Sequence, residues 1–159
     1  GFKLLAGYWG ISIDDGRFTA VWEYADRFSL PILIHTWGGA IDSPAKLSGI
    51  AAKYKNAVFI IAHSGGNDAG RNEAETLAEE HQNVMLEFCG SFCSHRLWQD
   101  TIKRIGCNRI IFGSDTGCHS QAWELGRLLS TPVQADIFPP ILAGNIEAIL
   151  KKSNHLLRR

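Results

Sequence analysis

Neither sign of charge prevails in this sequence: 16 Lys and Arg stand against 16 Asp and Glu, for a formal net charge of zero and a pI near 7.2. Without a basic excess there is little to neutralise a phosphate backbone, so nucleic acid is not an expected partner. No apolar run nears the roughly 18 residues of a membrane span, and no basic start leads into a greasy stretch, so no membrane association is expected. Cysteine is also sparse. Cys89, Cys93, Cys107 and Cys118 include no Cys-x-x-Cys pair, which argues against a structural zinc site built from thiolates. A chain of 159 residues that is 45% hydrophobic can bury a core without disulfide staples. Reduced thiols in a cytoplasmic protein are the expectation. No linker or low-complexity stretch divides the sequence, and residues 1–159 read as a single domain.

Short apolar runs, however, recur with regularity. Phe2 to Leu5, Pro31 to His35, Ala57 to His63, Val84 to Phe88 and Arg109 to Asp115 are rich in Ile, Val, Leu and Phe. They show little polar alternation, as strands buried on both faces do. The last four, taken from Ile32, Val58, Val84 and Ile110, start 26 residues apart. Such a period marks a repeated structural unit. Helical stripes fill the gaps: Phe18, Val21, Trp22, Ala25 and Phe28 come before the Leu30-Pro31 break, and Leu47, Ile50, Ala51 and Tyr54 follow Ser43-Pro44. Further stripes follow caps at Asn67 or Asp68, at Ser94 and at Ser120, and a last one runs from Ile141 to Lys152. Five strand–helix alternations predict an α/β protein of parallel βα repeats, either an open doubly wound sheet or part of a (β/α)8 barrel. The Leu-x-x-Leu-x-Leu signature of leucine-rich repeats is absent.

In parallel α/β proteins the chemistry gathers beyond the carboxyl ends of the strands. Here those ends carry His35-Thr36-Trp37-Gly38-Gly39, His63-Ser64-Gly65-Gly66 and Ser114-Asp115-Thr116-Gly117, with Glu87 inside the fourth strand and Lys3 on the first. Imidazole with carboxylate suits zinc or a similar divalent ion. A second histidine could move protons at neutral pH. Trp37, Trp9 and Tyr8 could wall a pocket, and His119 could reach substrate. Blander readings stand beside these. A strand-end histidine can simply be hydrogen-bonded, Glu87 can brace a neighbouring strand, Lys3 can be solvated, and His81 and His155 read as helix-surface residues. His95 and His119 fit a helix-start environment.

Leu30-Pro-Ile-Leu-Ile-His35-Thr-Trp-Gly-Gly39, Ala57-Val-Phe-Ile-Ile-Ala-His63-Ser-Gly-Gly66, Asn83-Val-Met-Leu-Glu87 and Arg109-Ile-Ile-Phe-Gly-Ser-Asp115 together resemble strands five to eight of the amidohydrolase-related metal-dependent hydrolases. These are TIM-barrel enzymes of the amidohydrolase superfamily. The connectors Asp14 to Phe18 and Ile141 to Asn145 resemble that family too. The resemblance implies a partial (β/α)8 TIM barrel corresponding to about strands four to eight. It implies that His35 and Asp115 ligate a divalent metal, most readily zinc, and that Asp115 orients or deprotonates the hydrolytic water. It makes His63 either a further ligand or a residue that shuttles protons or polarises substrate. Trp37, Glu87 and His119 are the candidate substrate contacts.

The family's first-strand His-x-His has no counterpart, since no two histidines here are two residues apart. Eight units would need about 200–250 residues, so the first three βα units are missing from this chain. The expected function is hydrolysis of a small organic substrate through a metal-activated water, impaired in this fragment by the lost pair. A related decarboxylase is one alternative. Another is a catalytically silent half-barrel that self-associates, a homo-oligomer covering its open sheet edges. A barrel phosphoesterase acting on DNA is disfavoured by the neutral charge and by His-Ser-Gly-Gly.

Overall fold

The computed structural model describes residues 1–90 and 96–157. Five strands among them form one sheet: β1 (Phe2–Leu4), β2 (Pro31–His35), β3 (Val58–Ala62), β4 (Val84–Phe88) and β5 (Ile110–Phe112). Every pairing is parallel, and the spatial order is the chain order, β1-β2-β3-β4-β5. That order decides between the two architectures left open by the sequence. A doubly wound sheet reverses direction at a switch point, whereas a sheet that always advances the same way, with right-handed crossovers, keeps its connecting helices on one face. The result is an arc of a barrel wall.

The outer face of that arc carries Ile32, Ile34, Phe59, Ile61, Val84 and Leu86, all in the largest core cluster. Against it pack α1 (Thr19–Phe28) through Trp22 and Ala25, α2 (Ser48–Lys53) through Ala51, and α3 (Asp68–Glu80) through Ala74, Leu77 and Ala78. Phe88 and Ile110 continue the same face under α4 (Arg96–Ile105) and α5 (Gln121–Leu129), which contribute Trp98, Ile102 and Leu128. The helix boundaries have local causes. Asn67 caps α3 by accepting from the Gly70 amide at 2.9 Å, and Ser120 caps α5 by accepting from the Trp123 amide. Ser43 precedes a 3-10 turn at Pro44–Leu47 and does not cap it; its hydroxyl donates to Glu73 of α3 at 2.5 Å. The Ser94 cap, with Cys93 and His95, lies outside the described residues, as does the His155 side chain. His81, read as a helix-surface residue, is half-buried at the end of α3, where Nε2 meets Ser48 Oγ at 3.1 Å.

Residues of alternate register face the other way: Leu33, Val58, Ile60, Met85 and Ile111 form the inner face. Ile146 and Ile149 of the last helix, α6 (Asn145–Leu157), pack on this apolar layer. Three hydrogen bonds anchor the approach. Asn145 Nδ2 donates to the carbonyls of Cys107 and Ile110 at 2.8 and 2.7 Å, and Ser153 Oγ donates to the Ser29 carbonyl at 3.0 Å, below the start of β2. The carboxyl end of the inner face, with His35 and Glu87, is left for polar residues.

Candidate active site

His35 is the last residue of β2, on the inner face and half-buried. His63 follows β3, and Asp115 stands three residues beyond β5. Both have left-handed backbones, His63 at φ 60° and Asp115 at φ 47°, and Ser64 joins them at φ 44°. For residues with a Cβ such conformations cost about 1–3 kcal/mol each and persist only where the surroundings impose them. At His63 the surroundings can be named. Its amide donates to Glu87 Oε2 at 3.1 Å, Ser64 Oγ donates to the Glu87 carbonyl at 2.9 Å, and the Gly65 amide donates to Thr36 Oγ1 at 3.0 Å. Thr36 Oγ1 in turn donates to the Ala62 carbonyl at 2.7 Å, tying the ends of β2 and β3 together.

The His63 ring is oriented as well. Nδ1 faces the Cys89 carbonyl at 2.7 Å, and because a carbonyl only accepts, Nδ1 of the neutral ring carries the proton and Nε2 holds the lone pair. A second bond of this kind is how metal-binding or proton-moving histidines have their tautomer set. The His35 ring lies 4.8 Å from that of His63 and 5.1 Å from that of Tyr8, and Trp37 stacks nearly parallel to it at 6.3 Å.

Burial first, then the neighbouring His63 and Lys3, pull the His35 pKa down from 6.5 to about 4, with Asp115 opposing. His35 is therefore a neutral donor at physiological pH, as metal coordination requires. Glu87 is 6% exposed, and burial pushes its carboxyl above the usual range despite its bonds to Cys89 and His63. Burial, with the carboxylate of Glu87 alongside, raises the Cys89 thiol. Burial also raises Asp42.

Donor atoms from His63, Cys89 and Asp115 all lie within 4.8 Å of one another. Nitrogen, sulfur and carboxylate oxygen at the mouth of a parallel sheet are a ligand set that fits a divalent ion such as zinc, and neutral His35 stands alongside. Trp37 lies against Gly66 and His63. Exposed His119 crowds over Gly90 beside Asp115: a Cβ at Gly90 would come within 2.7 Å of the His119 ring and 3.4 Å of Asp115 Oδ2. Glu87 is placed behind His63, its Oε2 taken by the His63 amide and the Cys89 thiol. A cavity of about 450 Å³ opens beside His35, lined also by Gly7, Tyr8, Ala40, Ile41 and Asp42. Trp9, read as a pocket wall, packs on Phe18. Lys3 is exposed, yet its charge reaches both His35 and Glu87. Cys89 and Asp42 were not singled out by the sequence. Cys89 had a signal, standing one residue past β4 as His63 stands one past β3. Asp42 had none, because it comes from a loop with no strand to set its position.

The fold and the grouping of polar residues at one end of it define a parallel-barrel segment of the kind that hosts enzymes. The amidohydrolase family matches residues 1–152, and the chain belongs to it. No curated protein matches the sequence. Among solved structures, an uncharacterized TIM-barrel protein from Bordetella bronchiseptica superimposes with a TM-score of 0.77 at 18% identity, covering 91% of this chain and 53% of that one. A dihydroxybenzoic acid decarboxylase from Polaromonas, with bound manganese and the inhibitor 2-nitroresorcinol, gives 0.67 at 16%, covering 93% and 56%. An amidohydrolase from Burkholderia multivorans with bound zinc gives 0.69 at 12%, covering 87% and 58%. This chain thus spans a little over half the length of each, as a partial barrel does.

Proposed function

We propose that this chain carries the carboxyl-terminal part of the active site of a zinc-dependent hydrolase acting on a small organic substrate. The observation behind the reading is the convergence of His35, His63 and Asp115 from the ends of three parallel strands. His35 and Asp115, with His63, are the residues that would hold the ion. When bound, a divalent metal supplies Lewis acidity and lowers the pKa of water to about 7.

The chain's own groups have separate tasks. Asp115, the exposed carboxylate of the donor cluster, accepts a proton from the attacking water. His63 offers the Nε2 lone pair, since its Nδ1 proton is committed to the Cys89 carbonyl; that lone pair either joins the ligands or, where it stays off the ion, takes the proton of the attacking water from Asp115 and passes it to the negative charge that develops on substrate. Trp37 and Tyr8, packed about His35, supply flat apolar walls and limit water near the reacting atoms. The cavity beside Asp42 and Tyr8 receives the part of the substrate that does not react.

A decarboxylase uses the same groups differently, with His63 delivering its Nε2 proton to the carbon that loses carbon dioxide. The Polaromonas decarboxylase among the similar structures is the observation that keeps this second reading. Assays of carbon dioxide release and of hydrolysis on the same preparation separate the two.

The metal reading is tested by the zinc content of the chain and of His35→Ala and Asp115→Ala. Each substitution is expected to lower occupancy at least about tenfold at limiting zinc, as even the loss of an outer-shell partner costs 10–100-fold in affinity. Unchanged occupancy in both variants overturns it.

A further inference from the structure

Cys89 has no part in the proposed reaction beyond the carbonyl that orients His63, yet its sulfur is one of the three clustered donors. It is 5% exposed. It stands one residue past β4, between the end of β3 with His63 and the loop after β5 with Asp115. Its Sγ lies 3.5 Å from His63 Nδ1 and donates to Glu87 Oε2 at 2.9 Å. The next residue, Gly90, has φ 58°, and its missing side chain leaves room for the His119 ring, with Asp115 Oδ2 close by, over Gly90.

We infer that Cys89 is a metal ligand, a thiolate that joins His63 and Asp115 around the ion and makes the site thiophilic. The inference rests on the metal reading above and deepens it. Donors at bond lengths of about 2.0–2.3 Å in a tetrahedral shell lie roughly 3.3–3.8 Å apart, so the 4.8 Å spread of the three groups must contract by about 1 Å. Asp115, exposed on its loop, is the donor with room to do so. On binding, the S–H bond breaks and a metal–sulfur bond forms, and the thiol proton passes to Glu87 Oε2, which already accepts its hydrogen bond. The protons balance within the site. So do the charges: the Cys89 thiolate and the Asp115 carboxylate offset a divalent cation, while Glu87 becomes a neutral acid and the histidines stay neutral. Such a donor set prefers zinc or cadmium over manganese or magnesium, whose coordination favours oxygen.

The experiment is a cobalt(II) titration of the metal-free 159-residue chain beside Cys89→Ser and Cys89→Ala, with far-ultraviolet circular dichroism to confirm folding. The wild-type chain is expected to develop a near-ultraviolet thiolate-to-cobalt charge-transfer band that both variants lose, and cadmium affinity is expected to fall at least about tenfold in each. X-ray absorption of the zinc-loaded wild type gives a check that needs no variant, a zinc–sulfur distance near 2.3 Å. Cobalt bound through visible ligand-field bands without the charge-transfer band overturns the thiolate and leaves the metal reading standing. The same holds for a band that survives in folded Cys89→Ser. Absence of cobalt binding to the wild type overturns both.

Discussion

His35 takes up a proton only in acid, because burial, His63 and Lys3 all oppose its charge. Its folded pKa of about 4 lies below the ordinary 6.5, so between these values the unfolded chain binds more protons than the folded one. Stability is therefore present in full above about pH 6.5 and is lost as the pH falls toward 4. In the metal-free chain, the His35 resonance followed by NMR should show a midpoint near 4, and Lys3→Ala, by removing one repulsion, should move it upward. A midpoint at the ordinary value would contradict the placement of His35. Gly113 offers a second test at this scale: a Cβ there would collide with Glu87 Oε1. Gly113→Ala should cost about 1–3 kcal/mol by denaturant unfolding, as overpacking does, and should disturb the His63 amide that Glu87 holds. The sequence made His35, His63 and Asp115 legible because a strand end next to glycines is a recognisable place for chemistry. It could not show that His63 and Asp115 are left-handed, that Glu87 turns away to brace its neighbour, or that Cys89 sits among them; the bonds of His63 to Glu87 and Cys89 join residues 24 and 26 apart.

The elements follow their local signals where those signals are self-contained. Asn67 and Ser120 cap as read, and α1 ends ahead of Leu30-Pro31. Ser43 departs from the cap reading because a longer-range partner, Glu73, competes for its hydroxyl. The end of α1 carries a correctable strain: Ser29 is left-handed at φ 50° and ψ 43°, the conformation that glycine usually fills at this position. Ser29→Gly keeps the carbonyl that accepts from Ser153 and should raise stability by about 1 kcal/mol, the scale of the left-handed penalty for a residue with a Cβ. A fall in the denaturant midpoint would show that the serine hydroxyl matters more than the backbone.

Five strand–helix units, the last four starting 26 residues apart, predicted a run of parallel strands but left its curvature open, because period alone does not distinguish a doubly wound sheet from an arc. The strand order does. In this arc β1 and β5 each pair on one side only among the described residues, and such edges invite pairing with another copy. We expect the 159-residue chain to self-associate at micromolar concentration, and light scattering that reports a monomer would refute this. The inner layer of Leu33, Ile60, Met85 and Ile111 is shielded by Ile146 and Ile149 of α6. Ile149→Asp should therefore increase association further, by exposing apolar surface that α6 otherwise covers.

That same helix sets a clock. If further strands pack over this layer where Ile146 and Ile149 of α6 now sit, they can do so only after α6 lifts away. Joining of the two halves would then be limited by a unimolecular opening step, its rate levelling off as the partner is added in excess and rising when Asn145 or Ser153 is removed.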